Sequence, residues 1–379
     1  MASPLAHAYL DWAATTPVLP EAVEAMLPFL GERFGNPSGS HAVSREARKA
    51  LDEARDTVAA CLGARPSEIV FTGGGTEADN LAIIGAHAVR PGPTVCSAVE
   101  HHAVLHACDA LGDSRLGPVD ADGVVDLDRL AALLDPSVSV VSVMLANNEV
   151  GTIEPLAEVA ALVRQRAPHA VVHTDAVQAF PWLDVAALAA PADLVAVSAH
   201  KFGGPKGVGA LVVRQGVTVR PIIHGGGQEG DRRSGTHNVA GIVAMAAAMR
   251  ATVDRRQATV DRVRALRDRL ADGLLAAVPG CVETVDRATK IAGNCHVSFE
   301  GVESEALLVL LDAAGVYGSA GSACASGAVD PSHVLAAMGL SRDRALGALR
   351  LSLGPATTDA DVDLALAAIP PAVERVRAG

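Results

Sequence analysis

Between about residues 47 and 256, short and nearly unbroken apolar runs alternate with longer amphipathic stretches. The runs lie around Glu68–Phe71, Thr94–Val99, Val138–Leu145, Val171–Thr174, Leu194–Ser198 and Val208–Arg214. Each is strand length, and a strand with no polar alternation has to be covered on both faces. The stretches between them repeat at helical spacing, as Ala47, Leu51, Ala54, Val58 and Leu62 do. Strands that alternate with helices are joined by crossovers, which predicts an α/β unit with a mainly parallel sheet. A chain of 379 residues that is 50% hydrophobic and only 20% charged supplies a core of that size.

The pattern changes after residue 238. Val239–Val278 is rich in Ala and Arg, too long for a simple crossover, and ended by Pro279-Gly280; it reads as a bridge between two domains. The C-terminal third reads as a smaller α+β unit. A strand at Cys295–Phe299 precedes a helix near Ser304–Ala314, stopped by Gly315. A loop of small residues, Gly318–Val329, leads to a helix from Pro331, a strand near Leu349–Leu353 and a closing helix from Thr358. The expected division is a large domain over 15–256 and a small domain made of 1–14 and 257–379. The net charge of −12 argues against a protein whose task is gripping nucleic-acid phosphates. No apolar run has the length of a membrane helix, and the start, MASPLAHAYLDW, lacks a secretory pattern. Six cysteines without a CxxC pair read as free thiols in a reducing, cytoplasmic setting, with neither a disulfide frame nor a metal site.

Nearly every polar cluster in the first 240 residues directly follows one of the apolar runs, where open parallel sheets bind ligands. Thr72-Gly-Gly-Gly-Thr76-Glu-Ala-Asp-Asn80 opens a helix whose N–H groups suit a phosphate. Taken alone, a Gly-rich turn capped by Thr76 explains it better, and no Walker lysine follows. Ala146-Asn-Asn-Glu149 offers two amides to a ligand oxygen or to a turn. Asp175 either holds a ring nitrogen protonated or caps the next helix. Ser198-Ala-His-Lys201 ends a buried strand in an amine. The chain has only four lysines (Lys49, Lys201, Lys206 and Lys290), yet two of them sit in the one loop HKFGGPKG. Arginine cannot replace lysine where a neutral amine must attack a carbonyl, so Lys201 is a candidate Schiff-base former. Each bland reading is credible separately. Together, a phosphate cradle, a carboxylate and a lysine on one sheet edge make the parts list for pyridoxal phosphate.

At these residues the chain resembles the cysteine desulfurases of the class V aminotransferase family (the NifS/IscS type). The likeness spans nearly its whole length. It is carried by Tyr9–Pro17, Phe34-Gly-Asn-Pro37, Thr72–Asn80, Glu100-His-His-Ala103, Asn147-Asn-Glu149, His173–Gln178, Ser198–Gly207, His224–Thr236, Gly321–Ser326 and Leu349–Gly354. The resemblance implies a fold type I pyridoxal-phosphate transferase with a seven-stranded, mainly parallel sheet. It further implies that Lys201 binds the cofactor aldehyde and moves the substrate Cα proton. Asp175 would pair with the pyridine nitrogen, Gln178 and Asn148 with the ring hydroxyl, and His101 would lie against the ring. Gly75, Thr76, Ser198 and His200 would hold the phosphate, with Thr236 reaching in from the second subunit of a homodimer. Arg350 would fork onto the carboxylate of L-cysteine, with Asn36 nearby. His101 is also a candidate acid/base toward the substrate thiol.

Cys324 distinguishes the reaction. It lies in Gly321-Ser-Ala-Cys-Ala-Ser-Gly327, whose small residues suit a mobile loop and leave little to bury a thiol. The other five cysteines read as small buried hydrophobes. The length from Cys324 to the Pro331 helix resembles the long-loop form, which hands sulfur to an iron–sulfur scaffold and other acceptors. Two departures stand out. Gly230 and Asp231 follow Gln228-Glu229 where the family often has arginine, and Trp12 stands where tyrosine or histidine is common. The alternatives are a selenocysteine lyase, an aminotransferase of the same fold, and a non-catalytic docking scaffold.

Overall fold

The computed structural model describes residues 7–320 and 331–378. Its strands are β1 (Ala8–Tyr9), β2 (Ile69–Thr72), β3 (Thr94–Ser97), β4 (Ser114–Gly117), β5 (Val140–Ser142) and β6 (Val171–Asp175). There follow β7 (Leu194–Ser198), β8 (Gly209–Val213), β9 (Val282–Glu283), β10 (Asn294–Ser298), β11 (Val316–Tyr317) and β12 (Ala348–Ser352). Seven of them make one sheet in the order β2-β8-β7-β6-β5-β3-β4. The pairs from β4 to β7 are parallel, and β8 runs antiparallel to both its neighbours, β7 and β2. The expected mainly parallel, seven-stranded α/β sheet is what forms.

Both faces of this sheet are buried along every strand but the edge strand β4, which is why the other strands read as continuous apolar runs. Along β7, Leu194 and Ala196 enter one core while Val195 and Val197 enter the other. Leu211 and Val213 alternate with Ala210 and Val212 in the same way on β8. Helix Gly75–His87 covers one face, and helix Ala42–Cys61 belongs to the core of the other.

The Ala/Arg stretch is one helix, Val239–Ala277, about 58 Å long at 1.5 Å per residue. Its first half ties to the large sheet's layer: Thr252 donates to the Phe202 carbonyl, and Arg255 pairs with Glu21. Its second half meets the C-terminal elements, where Arg262 donates to the Thr357 carbonyl and Arg269 pairs with Asp359. There β12, β10 and β9 form an antiparallel sheet against the long helix, and the helix Asp359–Arg377 packs on the long helix, the helix Ser304–Ala313, β1 and β11. β1 pairs in parallel with β11, stitching the N-terminal segment to this unit.

Candidate active site

The strands β2, β3, β5, β6 and β7 are each followed by groups that meet at the same edge of the large sheet. After β2 the chain turns through Gly73 and Gly74, and the helix Gly75–His87 begins. Gly74 has φ +145°, a value open to glycine, and at Gly75 a Cβ would meet Val177 Cγ2 at 2.9 Å. The turn is held by Glu77, whose carboxylate accepts from the Gly73 N–H at 2.9 Å and pairs with Arg233 at 2.7 Å. β6 ends in Asp175, 6% exposed, which accepts from the Val177 N–H at 2.7 Å. β7 ends in Ser198, and the next turn carries His200 and Lys201. The Lys201 ammonium donates to the Ala13 carbonyl at 2.5 Å and the Ala14 carbonyl at 3.0 Å.

A cavity of about 420 Å³ gathers these groups. Its walls include Gly75, Thr76, His101, Asn148, Asp175, Gln178, Ser198, His200, Lys201 and Arg350. Ten predicted site residues thus share one space. Asn36 and Thr236 are not among its walls; both are exposed, and the Asn36 side chain accepts from the Ser38 N–H at 3.0 Å. Cys324 lies outside the described residues. The two amides after β5 divide their work. Asn147 ties the turn together, accepting from the N–H groups of Glu149 and Val150 and donating to the Val99 carbonyl, whereas Asn148 lines the cavity. The two lysines of the HKFGGPKG loop also separate: Lys206 is exposed on the outer rim.

Burial sets the protonation of the site. Loss of water, assisted by Arg350, lowers Lys201 to about 8. Burial raises Asp175 to about 6, against the pull of the Val177 N–H and the Lys201 charge. His101 falls to about 4 through burial and the neighbouring Lys201 cation. Its Nδ1 accepts from the Ala103 N–H at 3.1 Å, so the neutral ring carries its proton on Nε2. Asp79 and Glu100 are also buried, and desolvation together with the nearby Asp175 carboxylate raises both well above the ordinary carboxylate value. A cationic ring nitrogen beside Asp175 would restore the ionised carboxylate.

Several cavity residues carried no role in the sequence reading. Asp11 pairs with Arg350 at 2.8 Å and Arg350 also donates to the Asn148 carbonyl at 3.1 Å, joining three distant segments. Glu149, raised by burial to about 7, and His102 and His333, with rings 4.6 Å apart, complete the wall. Asp11 and Glu149 lie inside stretches that carry the family resemblance, and that was the available signal.

The model of the family described as Aminotransferase class-V matches residues 8–365. The chain belongs to the class V aminotransferase family. An IscS-like cysteine desulfurase of Mycobacterium tuberculosis is 46% identical over 98% of this chain and 97% of that protein. A cysteine desulfurase IscS of Clostridium botulinum is 41% identical over 97% of this chain and 95% of its own. Among solved structures, a NifS-like protein superposes with a TM-score of 0.91 at 37% identity, covering 98% of this chain and all of that one. Class V enzymes of this kind depend on pyridoxal phosphate. The cavity suits that group. Gln178 Oε1 is buried in its wall without a hydrogen-bond partner among the described residues, and amine, carboxylate and glycine-lined helix start all face it. The described cysteines are unpaired, and burial pushes Cys295 up to about 12 and Cys281 to about 11, far from a reactive thiolate. Among the described residues no helix is long and apolar enough to cross a membrane.

Proposed function

We propose that this protein is a homodimeric L-cysteine desulfurase that uses pyridoxal phosphate and collects sulfur on Cys324. The observation that carries the reading is the meeting of Lys201 and Asp175 in one buried cavity, beside a glycine-lined helix start. Lys201 would hold the cofactor aldehyde, Asp175 its ring nitrogen, and Gln178 and Asn148 its hydroxyl. His101 would lie against the ring. Gly75, Thr76, Ser198 and His200 would take the phosphate, with Thr236 of the second subunit. When bound, the cofactor supplies an electron sink for charge developing at the substrate Cα.

The remaining chemistry belongs to the chain. Arg350 would take the substrate carboxylate on its guanidinium fork, with Asn36 nearby, exchanging part of its hold on Asp11. Lys201, neutral near pH 8, accepts the Cα proton. The Cys324 thiolate attacks the substrate sulfur, and the C–S bonding pair stays with the carbon fragment. Cysteine and the Cys324 thiol become alanine and a Cys324 persulfide: the two sulfurs together give up two electrons, the substrate Cβ takes the same two as its C–S bond becomes C–H, and no outside oxidant is needed. The persulfide is then open to transfer to an iron–sulfur scaffold or another acceptor. The division into domains of 15–256 and 1–14 with 257–379 puts Lys201 on one and Cys324 and Arg350 on the other. The unpaired cysteines support a cytoplasmic setting.

Two variants test this. Lys201→Ala should lose the visible cofactor band and at least about a thousandfold in turnover. Cys324→Ser should keep the band and lose sulfur transfer, and mass analysis of wild type after L-cysteine should show one added sulfur on Cys324. Full sulfur transfer by Cys324→Ser would overturn the assignment.

A further inference from the structure

A second cavity, about 380 Å³, backs onto the first. Ala13, Gln178 and Lys201 line both, but the two differ in kind. The second is walled mostly by carbon, from Val18, Leu19, Trp182, Phe202, Ile291 and Leu353. It lies between the N-terminal segment, the long helix and the turn after β12. Its size and apolar lining are those of a small-molecule pocket, about 300–1,000 Å³ with few polar groups.

One polar group is out of keeping. Arg256, on the long helix, lines this cavity with Nε and Nη2 both buried and without a hydrogen-bond partner among the described residues. Its neighbour Arg255 has Glu21, whereas Arg256 makes no hydrogen bond or ion pair among the described residues: the Asp184 carboxylate acts on it only through space, and the Phe180 ring lies 5.4 Å from Cζ. Nε and Nη2 form the side-on edge of a guanidinium, the pair of parallel N–H bonds that donates to both oxygens of a carboxylate. Buried donors left unmade are costly, so the edge is a standing demand for a planar anion. The walls select what that anion carries.

We propose that this cavity binds a small amphipathic monocarboxylate, its head on Arg256 and its apolar body among Val18, Leu19, Trp182 and Phe202. The proposal does not rest on the desulfurase reading. The molecule supplies its own probe: its only two tryptophans, Trp12 and Trp182, both line the cavity.

Octanoate titrated into the full-length, cofactor-loaded protein should change tryptophan fluorescence saturably, with one molecule bound per chain by calorimetry. Octanol, with the same tail and no charge, should bind at least about tenfold more weakly, as should octanoate to Arg256→Met. Arg256→Lys keeps the charge but not the fork and should bind octanoate between wild type and Arg256→Met, which guards against a folding defect in the methionine variant. Arg350→Met should leave octanoate binding unchanged, separating this cavity from the one that holds Lys201. The proposal fails if octanoate gives no saturable change, if Arg256→Met or octanol binds as tightly as the native pair, or if Arg350→Met abolishes binding.

Discussion

Lys201 and Lys206 are five residues apart in one Gly-rich loop, yet only the first is placed where its amine loses water and meets Arg350. Both causes favour the neutral form that attacks an aldehyde. Uptake of pyridoxal phosphate by cofactor-free protein should therefore speed up with pH and level off above about 8, not near the ordinary 10.5. Replacing Arg350 by Met removes one of the two causes, so the midpoint should move upward, as stopped-flow absorbance would record. A midpoint that stays put, or an ordinary lysine profile in wild type, would contradict this account. At this scale the sequence was informative about type and silent about pairing. Lysine scarcity and strand-end position singled out Lys201. Nothing in the order of residues announced that Arg350 is clasped by Asp11, 339 positions away. A guanidinium's partner depends on β1, β11 and β12 coming together, which is a property of the whole packing.

Two glycine-rich turns show how elements, and not only side chains, build the site. β8 starts at Gly209, which faces Ser198 of β7 on one side and Thr72 of β2 on the other. A Cβ there would sit 2.6 Å from the Val197 carbonyl oxygen and under 3 Å from the Gly74 backbone. Gly209→Ala should displace the turn before Gly75, weaken cofactor binding about tenfold and cost about 1–3 kcal/mol of stability. Equilibrium dialysis and urea unfolding measure the two effects. The other turn, Gln228–Asp231, is pinned through Glu229, whose backbone is left-handed at φ +52°. Its carboxylate takes a two-pronged bond from Arg55, the Phe71 N–H at 2.9 Å and the His237 ring at 2.7 Å. These partners hold it near 2, below the usual 4.5. A depressed acid stabilises the fold above its unfolded value and loses that contribution as pH falls through its folded one. Glu229→Gln should thus cost about 3 kcal/mol at pH 7, with the difference from wild type shrinking between pH 4.5 and 2. Element types were legible because both sheet faces are apolar. β4 was not, since Ser114–Gly117 is an edge strand with Leu116 exposed and no continuous apolar run. The reversed direction of β8 was hidden too, because direction is set by the connection and not by the strand's own residues.

At the scale of the molecule, one chain brings together ten of the predicted site residues and leaves Thr236 out on the surface. The segment that carries Thr236 is anchored by Glu229 to Phe71 and His237, with Thr236 itself exposed. Leu27, Leu30 and Phe34 are 57%, 63% and 75% exposed within eight residues, an apolar stretch that the single chain leaves uncovered. Both features favour two copies that complete each other's sites, the isologous arrangement commonest among soluble oligomers. Sharing has a consequence that separate sites lack. Lys201→Ala homodimers lack the amine, and Thr236→Trp homodimers should be obstructed at the phosphate end. In a mixed dimer one site receives the intact Lys201 of one chain and the intact Thr236 of the other. Co-expression at equal levels makes half the dimers mixed, each with one competent site, so about a quarter of the wild-type activity should return. If each chain's own Thr236 served its own Lys201, every site would keep one defect, and the co-expressed pair would be as inactive as its parents.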